Sequence, residues 1–381
     1  MRVIWEASAL LPPRTGVGRY AFELLCALQA LEESPEFHLV WRSSRRGLSE
    51  EDHSALRGTH LHGGCFLPGP LLMGLWARGR GPRIERLGGE GADLVHGVAA
   101  LLPPTRVGAR VLTIHDLHFL RHPEHGHFLG GRLLVHHLPR RARDATRVIV
   151  PSQATADDCV ELLGLEPSRL VVISHGGAET LSREPSKEMW GRFSATHGDL
   201  MGRFWLTVAT LEPRKNIGLL VDAIDRLAPE RSIPLVLVGN PGWGTGNLVA
   251  RIERMVNRGR MIWLHHREPW VLQCLLHRAE ALIMPSLAEG FGLPLLEAMA
   301  AGCPVLCSDI PVFREVTGGH ARLFDPRSAD ALAEQMLGAL EDPEGERARA
   351  ERARAFIRPF TWERTARRTL DVYREAIDAA R

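Results

Sequence analysis

Short apolar runs alternate with amphipathic stretches along the whole chain. In the first half, the runs rich in β-branched and other apolar side chains are 2–5, 37–41, 93–96, 111–114, 148–150 and 170–173. In the second half, they are 205–208, 235–238, 261–264, 281–284, 304–307 and 322–324. Segments with helical periodicity lie between them, for example 20–31, 155–163, 217–227 and 329–340. Strands that alternate with helices are typical of parallel βαβ units, so the pattern predicts an α/β fold.

The alternation is interrupted over residues 176–202, which are polar and show no clear strand. A chain of 381 residues is also long for a single hydrophobic core. We therefore predict two doubly wound, Rossmann-like domains, 1–180 and 200–358, with part of the intervening stretch as a linker. Such folds bind ligands at the carboxyl ends of their strands, so a central cleft is expected there. The last segment, 359–381, is a helix that is a candidate to cross back to the first domain.

The composition is that of a globular protein, with 45% hydrophobic and 24% charged residues. The formal net charge of +2 provides no strong field for binding nucleic acid. No stretch approaches the roughly 18 uninterrupted apolar residues of a spanning helix. The first residues hold one early arginine and no long apolar run before Pro12, which does not resemble a signal peptide. These features predict a cytoplasmic protein.

The six cysteines are scattered, and only Cys303 and Cys307 lie close together, in an apolar run. This pattern favours buried core thiols in a reducing compartment. A second apolar segment, 66–76, is followed by a basic one with Arg78, Arg80, Arg83 and Arg86. An apolar segment followed by a basic one is one pattern for peripheral contact with an anionic membrane, here its inner face. A helix that packs in the core and is followed by an exposed basic segment is favoured instead.

The most informative segment is 285–300, PSLAEGFGLPLLEAMA. A strand ends just before it, a glycine-rich turn follows, and Pro294 fits the first turn of a helix because its missing N–H is no loss there. The amides at a helix start and the positive end of the helix dipole can hold anions and hydroxyl groups. Glu289 and Glu297 flank this start, and a carboxylate can accept two charge-assisted hydrogen bonds from a sugar or ribose.

Glu289 and Glu297 match the E-x7-E motif of the family 4 retaining glycosyltransferases, and the segment resembles theirs. The resemblance implies the two-domain fold called GT-B and transfer of a sugar from a nucleotide-sugar, with no metal or other cofactor. It also implies that Glu289 holds the hydroxyls of the donor sugar and Glu297 the ribose. The donor-binding residues that it implies in this segment are Gly290, Phe291, Gly292, Leu293 and Glu297.

A second match lies upstream in 210–217, TLEPRKNI, which is similar to the E-P-R-K-N segment of the same family. By that resemblance Arg214 and Lys215 neutralise the donor diphosphate as the glycosidic bond breaks. A departing diphosphate gains negative charge, which fixed cations stabilise. Lys215 and Lys187 are the only lysines among 47 basic residues. Because a compact ammonium differs in shape from a planar guanidinium, a lysine at position 215 suggests a chemical role there. Ordinary exposed cations at a helix start are the alternative.

The first half carries weaker motifs. Gly16 and Gly18, in TGVGRY after the first strand, can let the backbone approach a ligand or supply positive φ. A plain turn is the alternative, and the resemblance places this segment near the donor phosphates and the acceptor. His115 ends another strand, and the resemblance implies contact with the donor sugar near the reacting carbon. A buried structural histidine is the alternative for His115.

Five histidines follow one another closely and raise the question of a metal site: His115, His118, His122, His125 and His127. Their spacing contains no helical i, i+4 pair with an intervening acid, so a solvated loop facing the acceptor is favoured. The sequence also departs from the family after the run 261–264, where a glycine is usual and this chain has His265 and His266, and at His175, where an asparagine is common. These departures leave the preferred base of the donor open.

Other functions remain as alternatives. A hydrolysing epimerase would need further acid–base carboxylates, which the sequence does not show. A phosphorylase is disfavoured because Lys187 lies in the predicted linker, and a catalytically silent GT-B subunit is opposed by the complete set of charged motif residues. The resemblance is to bacterial mannosyltransferases of surface polysaccharide synthesis. It favours a GDP- or UDP-linked hexose, with GDP-mannose first, and a glycan or lipid-linked acceptor.

Overall fold

The computed structural model describes residues 1–12, 14–43, 47–63, 67–122, 128–179, 181–228, 233–265 and 268–381, with only the backbone given for 128–134. The chain divides into two compact units. The first contains Met1–Gly176 and Thr361–Arg381, and the second contains Gly177–Phe360. Each unit has its own parallel sheet and its own hydrophobic core. The predicted architecture of two parallel-sheet α/β domains is confirmed.

The first unit has a seven-stranded sheet in the order β3-β2-β1-β4-β5-β6-β7. Its strands are β1 Arg2–Glu6, β2 Glu36–Val40, β3 His60–His62, β4 Leu94–Gly97, β5 Ala109–Thr113, β6 Arg147–Val150 and β7 Leu170–Val172. Its helices are α1 Gly16–Gln29, α2 Glu50–Ala55, α3 Gly69–Ala77, α4 His118–Arg121, α5 Phe128–Arg143, α6 Gln153–Leu163 and α15 Trp362–Ala379. The strand order reverses beside β1, so the loops after β1 and β4 lie at a topological switch point.

The second unit has a six-stranded sheet in the order β10-β9-β8-β11-β12-β13. Its strands are β8 Trp205–Val208, β9 Leu235–Val238, β10 Met261–Leu264, β11 Ala281–Met284, β12 Val305–Ser308 and β13 Arg322–Phe324. Its helices are α7 Lys187–Thr196, α8 Ile217–Arg226, α9 Leu248–Asn257, α10 Pro269–Arg278, α11 Leu293–Ala301, α12 Pro311–Thr317, α13 Ala329–Glu341 and α14 Pro343–Phe356. The segment expected to be partly linker contains α7.

The C-terminal helix α15 packs against α1 and β5 within the first unit. Tyr373 fixes its position, because the Tyr373 hydroxyl accepts a hydrogen bond from Trp5 Nε1 at 2.9 Å and lies 2.7 Å from His96 Nδ1. The other ring nitrogen of His96 lies 2.9 Å from Thr113 Oγ1. Burial, together with the nearby His115, lowers the pKa of His96 to about 3. The network therefore joins a neutral imidazole to β1, β5 and α15.

Helix α3 covers most of the apolar segment 66–76. It buries Leu72 and Trp76 in the core of the first unit and exposes Leu71. Phe66, at the start of that segment, lies outside the described residues. None of the described helices combines the length and apolar character that a membrane span requires. Cys303 and Cys307 are free, buried thiols, as predicted.

Candidate functional site

The two motif segments of the second unit are brought together by neighbouring strands. Strands β8 and β11 pair in parallel, so the loops at their carboxyl ends lie at the same edge of the sheet. The loop after β8 contains a 3-10 turn, Pro213–Lys215, before α8 begins. The loop after β11 leads into α11. Residues 74 positions apart in sequence therefore come into contact at this edge.

Asn216 holds the first loop in place. It adopts a left-handed conformation with φ +55°, which asparagine tolerates better than most residues. Its side-chain amide donates hydrogen bonds to the carbonyls of Pro285 at 3.1 Å and Pro326 at 2.9 Å. The backbone N–H of Leu287 donates to the carbonyl of Arg214 at 2.8 Å. These bonds set the position of the two cations relative to the second loop.

Glu289 is the centre of a compact charged cluster. Its Oε2 accepts a hydrogen bond from Arg214 Nη1 at 2.6 Å, and its Oε1 accepts one from Lys215 Nζ at 2.6 Å. Ser286 Oγ donates to the same Oε1 at 2.9 Å. Burial alone would raise the pKa of Glu289, but the charges of Arg214 and Lys215 and the bonds from Lys215 and Ser286 outweigh it, and the pKa falls to about 2. Glu289 is therefore ionised at neutral pH.

Glu212 adds a second carboxylate to this cluster. Its Oε1 accepts a hydrogen bond from Arg214 Nη2 at 2.8 Å, and its side chain is 7% exposed. Two acidic and two basic residues thus form one network in which Arg214 spans both carboxylates. Arg214 and Lys215 are 21% and 17% exposed, so water screens this network less than it would a surface pair. The alternative of ordinary exposed cations does not describe these two side chains.

The start of α11 has the backbone geometry that the sequence predicted. Gly292 caps the helix with φ +98°, a conformation that a side chain would strain. Leu293 is the first helical residue, and the buried Phe291 precedes the cap beside Gly290. Pro294 has no N–H, and the Leu295 N–H donates to the carbonyl of Gly292 at 2.9 Å. The N–H of Leu293 and the positive end of the helix dipole are therefore the groups of this helix start that are suited to an anion. Glu297, four residues after Leu293 in the helix, is 3% exposed.

The glycine segment of the first unit opens α1 after the loop that follows β1. Gly16 is the first residue of α1, and a side chain there would meet no atom within 4 Å. A Cβ on Gly18 would lie 2.3 Å from the carbonyl oxygen of Ala9, so Gly18 permits close packing of the helix on this loop. Neither glycine has a positive φ. Packing therefore accounts for Gly18, whereas the structure gives no packing reason for Gly16.

His115 follows β5 and is partly buried. Its Nε2 donates a hydrogen bond to the carbonyl of Val98 at 2.9 Å. Burial lowers the pKa of His115, and the bond to Val98 and the charge of Asp116 act in the opposite direction. Its ring also packs edge-on against Tyr20, with ring centroids 4.7 Å apart. The sequence interpretation did not include this aromatic neighbour.

Tyr20 belongs to a group of rings that no sequence motif indicates. Its ring centroid lies 4.5 Å from that of His175 and 6.0 Å from that of Trp362. His175 is 6% exposed, and burial, with His115 nearby, holds its pKa well below the usual range. Burial raises the pKa of Tyr20 to about 12. His175, at the position where the family commonly has asparagine, therefore adds a neutral ring to an aromatic cluster of the first unit.

The histidine-rich stretch is only partly described. His118 is buried, and its ring centroid lies 4.8 Å from that of His122. His125 and His127 lie outside the described residues. Among the described residues, the side chains of Glu36, His38 and His60 lie close enough together to share a metal ion.

Two family models match the chain, one in each half. A family model described as "Glycosyl transferases group 1" matches residues 196–356, and one described as "Glycosyltransferase Family 4" matches residues 14–176. The O-antigen chain mannosyltransferase B of Escherichia coli is 27% identical over 384 residues, which cover 98% of this chain and 100% of the relative.

Solved structures show the same fold. The sucrose-phosphate synthase of Thermosynechococcus elongatus superposes with a TM-score of 0.76 at 20% identity and covers 100% of both chains. HepE of Anabaena in complex with UDP-glucose superposes with a TM-score of 0.72 at 17% identity, over 98% of this chain and 100% of HepE.

Proposed function

Because this chain is a family 4-like glycosyltransferase with the GT-B fold, we propose that it is a retaining enzyme. It transfers a hexose from a nucleotide-sugar to a glycan or lipid-linked acceptor. The observation that carries this proposal is the network of Arg214, Lys215 and Glu289 at the carboxyl edge of β8 and β11. The second unit binds the donor, and the first unit binds the acceptor.

The donor site combines three kinds of group, namely backbone N–H groups, cations and carboxylates. The start of α11 offers the N–H groups of Gly292 and Leu293 and the positive end of the helix dipole to the diphosphate. Arg214 and Lys215 add two cations, and Glu289 offers an ionised carboxylate that can accept hydrogen bonds from the sugar hydroxyls. Glu297 lies within the same helix and is assigned to the ribose. An ordinary surface loop would provide none of these groups in fixed positions.

The reaction breaks the bond between the anomeric carbon and the diphosphate oxygen and forms one to an acceptor oxygen. Positive charge develops on the sugar ring, and negative charge develops on the leaving diphosphate. Arg214 and Lys215 stabilise that negative charge, so they bind the transition state more strongly than the ground state. The leaving phosphate oxygen takes the proton of the acceptor hydroxyl, and the new bond forms on the same face. The configuration at the anomeric carbon is thereby retained.

Mannose is the first candidate for the transferred sugar, with GDP-mannose as its donor. The support for mannose is the similarity, over nearly the whole chain, to a protein named as an O-antigen chain mannosyltransferase. Such a role would place the enzyme in bacterial surface polysaccharide synthesis, on the cytoplasmic side where nucleotide-sugars are made. An assay with a panel of GDP- and UDP-linked hexoses tests both the activity and the donor. Turnover of none of them would favour the silent-subunit alternative.

Replacing Glu297 by alanine should weaken nucleotide binding by about 1–3 kcal/mol, or about 5- to 150-fold, through lost ribose hydrogen bonds. Isothermal titration with GDP and UDP measures this change. Glu253→Ala is a matched control, because Glu253 is exposed on α9 in the same unit. Since Glu297 is 3% exposed, thermal unfolding must be compared as well. A variant that loses stability yet binds nucleotide like the wild type would assign Glu297 to packing.

Transfer should continue in excess chelator, because two fixed cations serve the leaving diphosphate. The rate of donor turnover with and without EDTA is the measurement, made well below the unfolding temperature. A rate that disappears in chelator and returns with one added divalent metal would assign the leaving-group role to that metal. A rate lost through unfolding would be recognised from a parallel circular dichroism measurement.

A further inference from the structure

An unexplained group of polar side chains lies at one edge of the sheet in the first unit. Strand β3 is the edge strand and pairs in parallel with β2, with His38 opposite His60. Glu36 and His38 are two residues apart on β2, and His60 and His62 are two residues apart on β3. Side chains two residues apart point to the same face of a strand. All four therefore share one face of the sheet.

Three of these side chains have the spacing of metal ligands. His38 Nε2 lies 3.0 Å from Glu36 Oε1, and His60 Nε2 lies 3.2 Å from the same oxygen. One ligand atom from each of the three can be chosen so that all lie within 4.8 Å of one another. Two ligands bound tetrahedrally to one Zn²⁺ ion are about 3.3 Å apart, given bonds of roughly 2.0 Å. The group thus needs little rearrangement to surround an ion.

The neighbouring residues orient these ligands. Arg2 Nε donates a hydrogen bond to Glu36 Oε2 at 3.2 Å, which turns Oε1 towards the histidines. His38 Nδ1 lies 2.9 Å from His62 Nε2, and the two rings stack with an angle of 6° between their planes. Without an ion, His38 Nε2 donates to Glu36 Oε1 at 3.0 Å; an ion bound at Nε2 would replace that proton, and Nδ1 would then donate to His62. Metal-binding histidines and carboxylates typically have such partners on their other atoms.

A glycine loop packs against this face. A Cβ on Gly88 would lie 2.1 Å from Cγ of the His62 ring, and a Cβ on Gly89 would lie 3.3 Å from Cβ of His38. The absence of side chains at these two positions lets the backbone cover the inner histidines. His38 is 8% exposed as a result, whereas the His60 side chain is 55% exposed. One side of the group is closed, and the other remains accessible to an ion from solvent.

We propose that Glu36, His38 and His60 bind one divalent transition-metal ion of the zinc type, with His62 as a positioning residue. Imidazole nitrogen and carboxylate oxygen are the ligand types that Zn²⁺ accepts, and water completes the coordination. The ion joins β2 to β3, a strand of three residues at the sheet edge. Since it joins two consecutive strands that are separated in the chain by residues 41–59, it stabilises the native state. The site lies in the first unit, and the role is structural.

Zinc titration of the full chain, without a histidine tag and after chelator treatment, tests this proposal. A competing chromophoric chelator should report one tight site in the wild type. His60→Ala should weaken it by more than about 100-fold, because losing a ligand should exceed the roughly 10- to 100-fold effect of an outer-shell partner. His62→Ala should weaken binding by about 10- to 100-fold. His53→Ala should leave it unchanged, since His53 is exposed on the nearby helix α2.

The spectrum of the Co²⁺-loaded protein and the unfolding temperature provide independent readouts. The Co²⁺-loaded wild type should show the visible absorption bands typical of low-coordinate Co²⁺. Its unfolding temperature should be higher with Zn²⁺ than without. Both effects should be absent in His60→Ala. Because the His60 side chain is exposed, this substitution should not disturb folding, and the loss of both effects would report the loss of the ion. Equal zinc binding by His60→Ala and wild type, or no saturable site in the wild type, would show that the group is only a hydrogen-bond network.

Discussion

Replacing Lys215 by arginine is expected to lower turnover by about 10²- to 10³-fold, the scale of losing one electrostatic donor, although the charge is kept. The ammonium of Lys215 lies 2.6 Å from Glu289 Oε1, while Arg214 already occupies Oε2. A guanidinium at position 215 is larger than an ammonium and its donors point in a fixed fork, so it would place the positive charge elsewhere in this cluster. Lys215→Arg therefore keeps the charge and changes its position and shape.

The rate at saturating donor is the decisive measurement for Lys215. Donor affinity should fall less than turnover, because the leaving diphosphate gains charge only as the bond breaks. Lys215→Ala should lose at least as much rate as Lys215→Arg. Lys187→Arg is a matched control, since Lys187 is the other lysine and is exposed at the start of α7. If both Lys215 variants turn over like the wild type, the leaving-group assignment is wrong.

The sequence predicted most of the fold because buried parallel strands are continuous apolar runs. It missed β3, which consists of His60, Leu61 and His62 and carries no apolar run. It also missed α7 within the expected linker. That helix begins at the Ser186 cap and buries Phe193, a signal that a search for capping residues could have found.

The candidate site was predictable in position but not in its contacts. Motif spacing placed Arg214, Lys215 and Glu289 after two strands, and the pairing of β8 with β11 brings them together. The ion pairs among them, and the hydrogen bond from Ser286, depend on side-chain geometry that spacing does not determine. Likewise, the glycine motif alone does not predict that Gly18 packs against the carbonyl oxygen of Ala9.

The metal-ligand candidates illustrate the same limit. Glu36 and His38, and then His60 and His62, each show the i, i+2 spacing that places two side chains on one face of a strand. That spacing was the available signal. It becomes informative only when β2 and β3 are known to be neighbours with His38 opposite His60. The histidine-rich stretch 115–127 raised the question of a metal site instead, because its histidines are close together in sequence.

Acid should weaken the second unit through Glu289, and Glu289→Gln should remove that effect. The pKa of Glu289 is about 2 in the folded protein against an ordinary value of 4.5. A lowered carboxyl pKa stabilises the fold above the unfolded value, and this stability is lost as the pH falls from about 4.5 to about 2. The shift corresponds to about 3 kcal/mol of unfolding free energy.

Hydrogen exchange of peptides from β8 and β11, corrected for the intrinsic effect of pH, measures the second unit separately. Glu289→Gln should be less stable than wild type at pH 7, because Lys215 then lacks its ionised partner and Arg214 keeps only Glu212. The variant should also lose less stability than wild type in the acidic window. Glu280→Gln is the control, since Glu280 pairs with Arg203 in the same unit but that arginine is 55% exposed. Such a surface pair contributes only about 0–1 kcal/mol.

Equal acid sensitivity of Glu289→Gln and wild type would show that this carboxylate is not what the two cations stabilise. The charged cluster would then have no role in holding the two loops together.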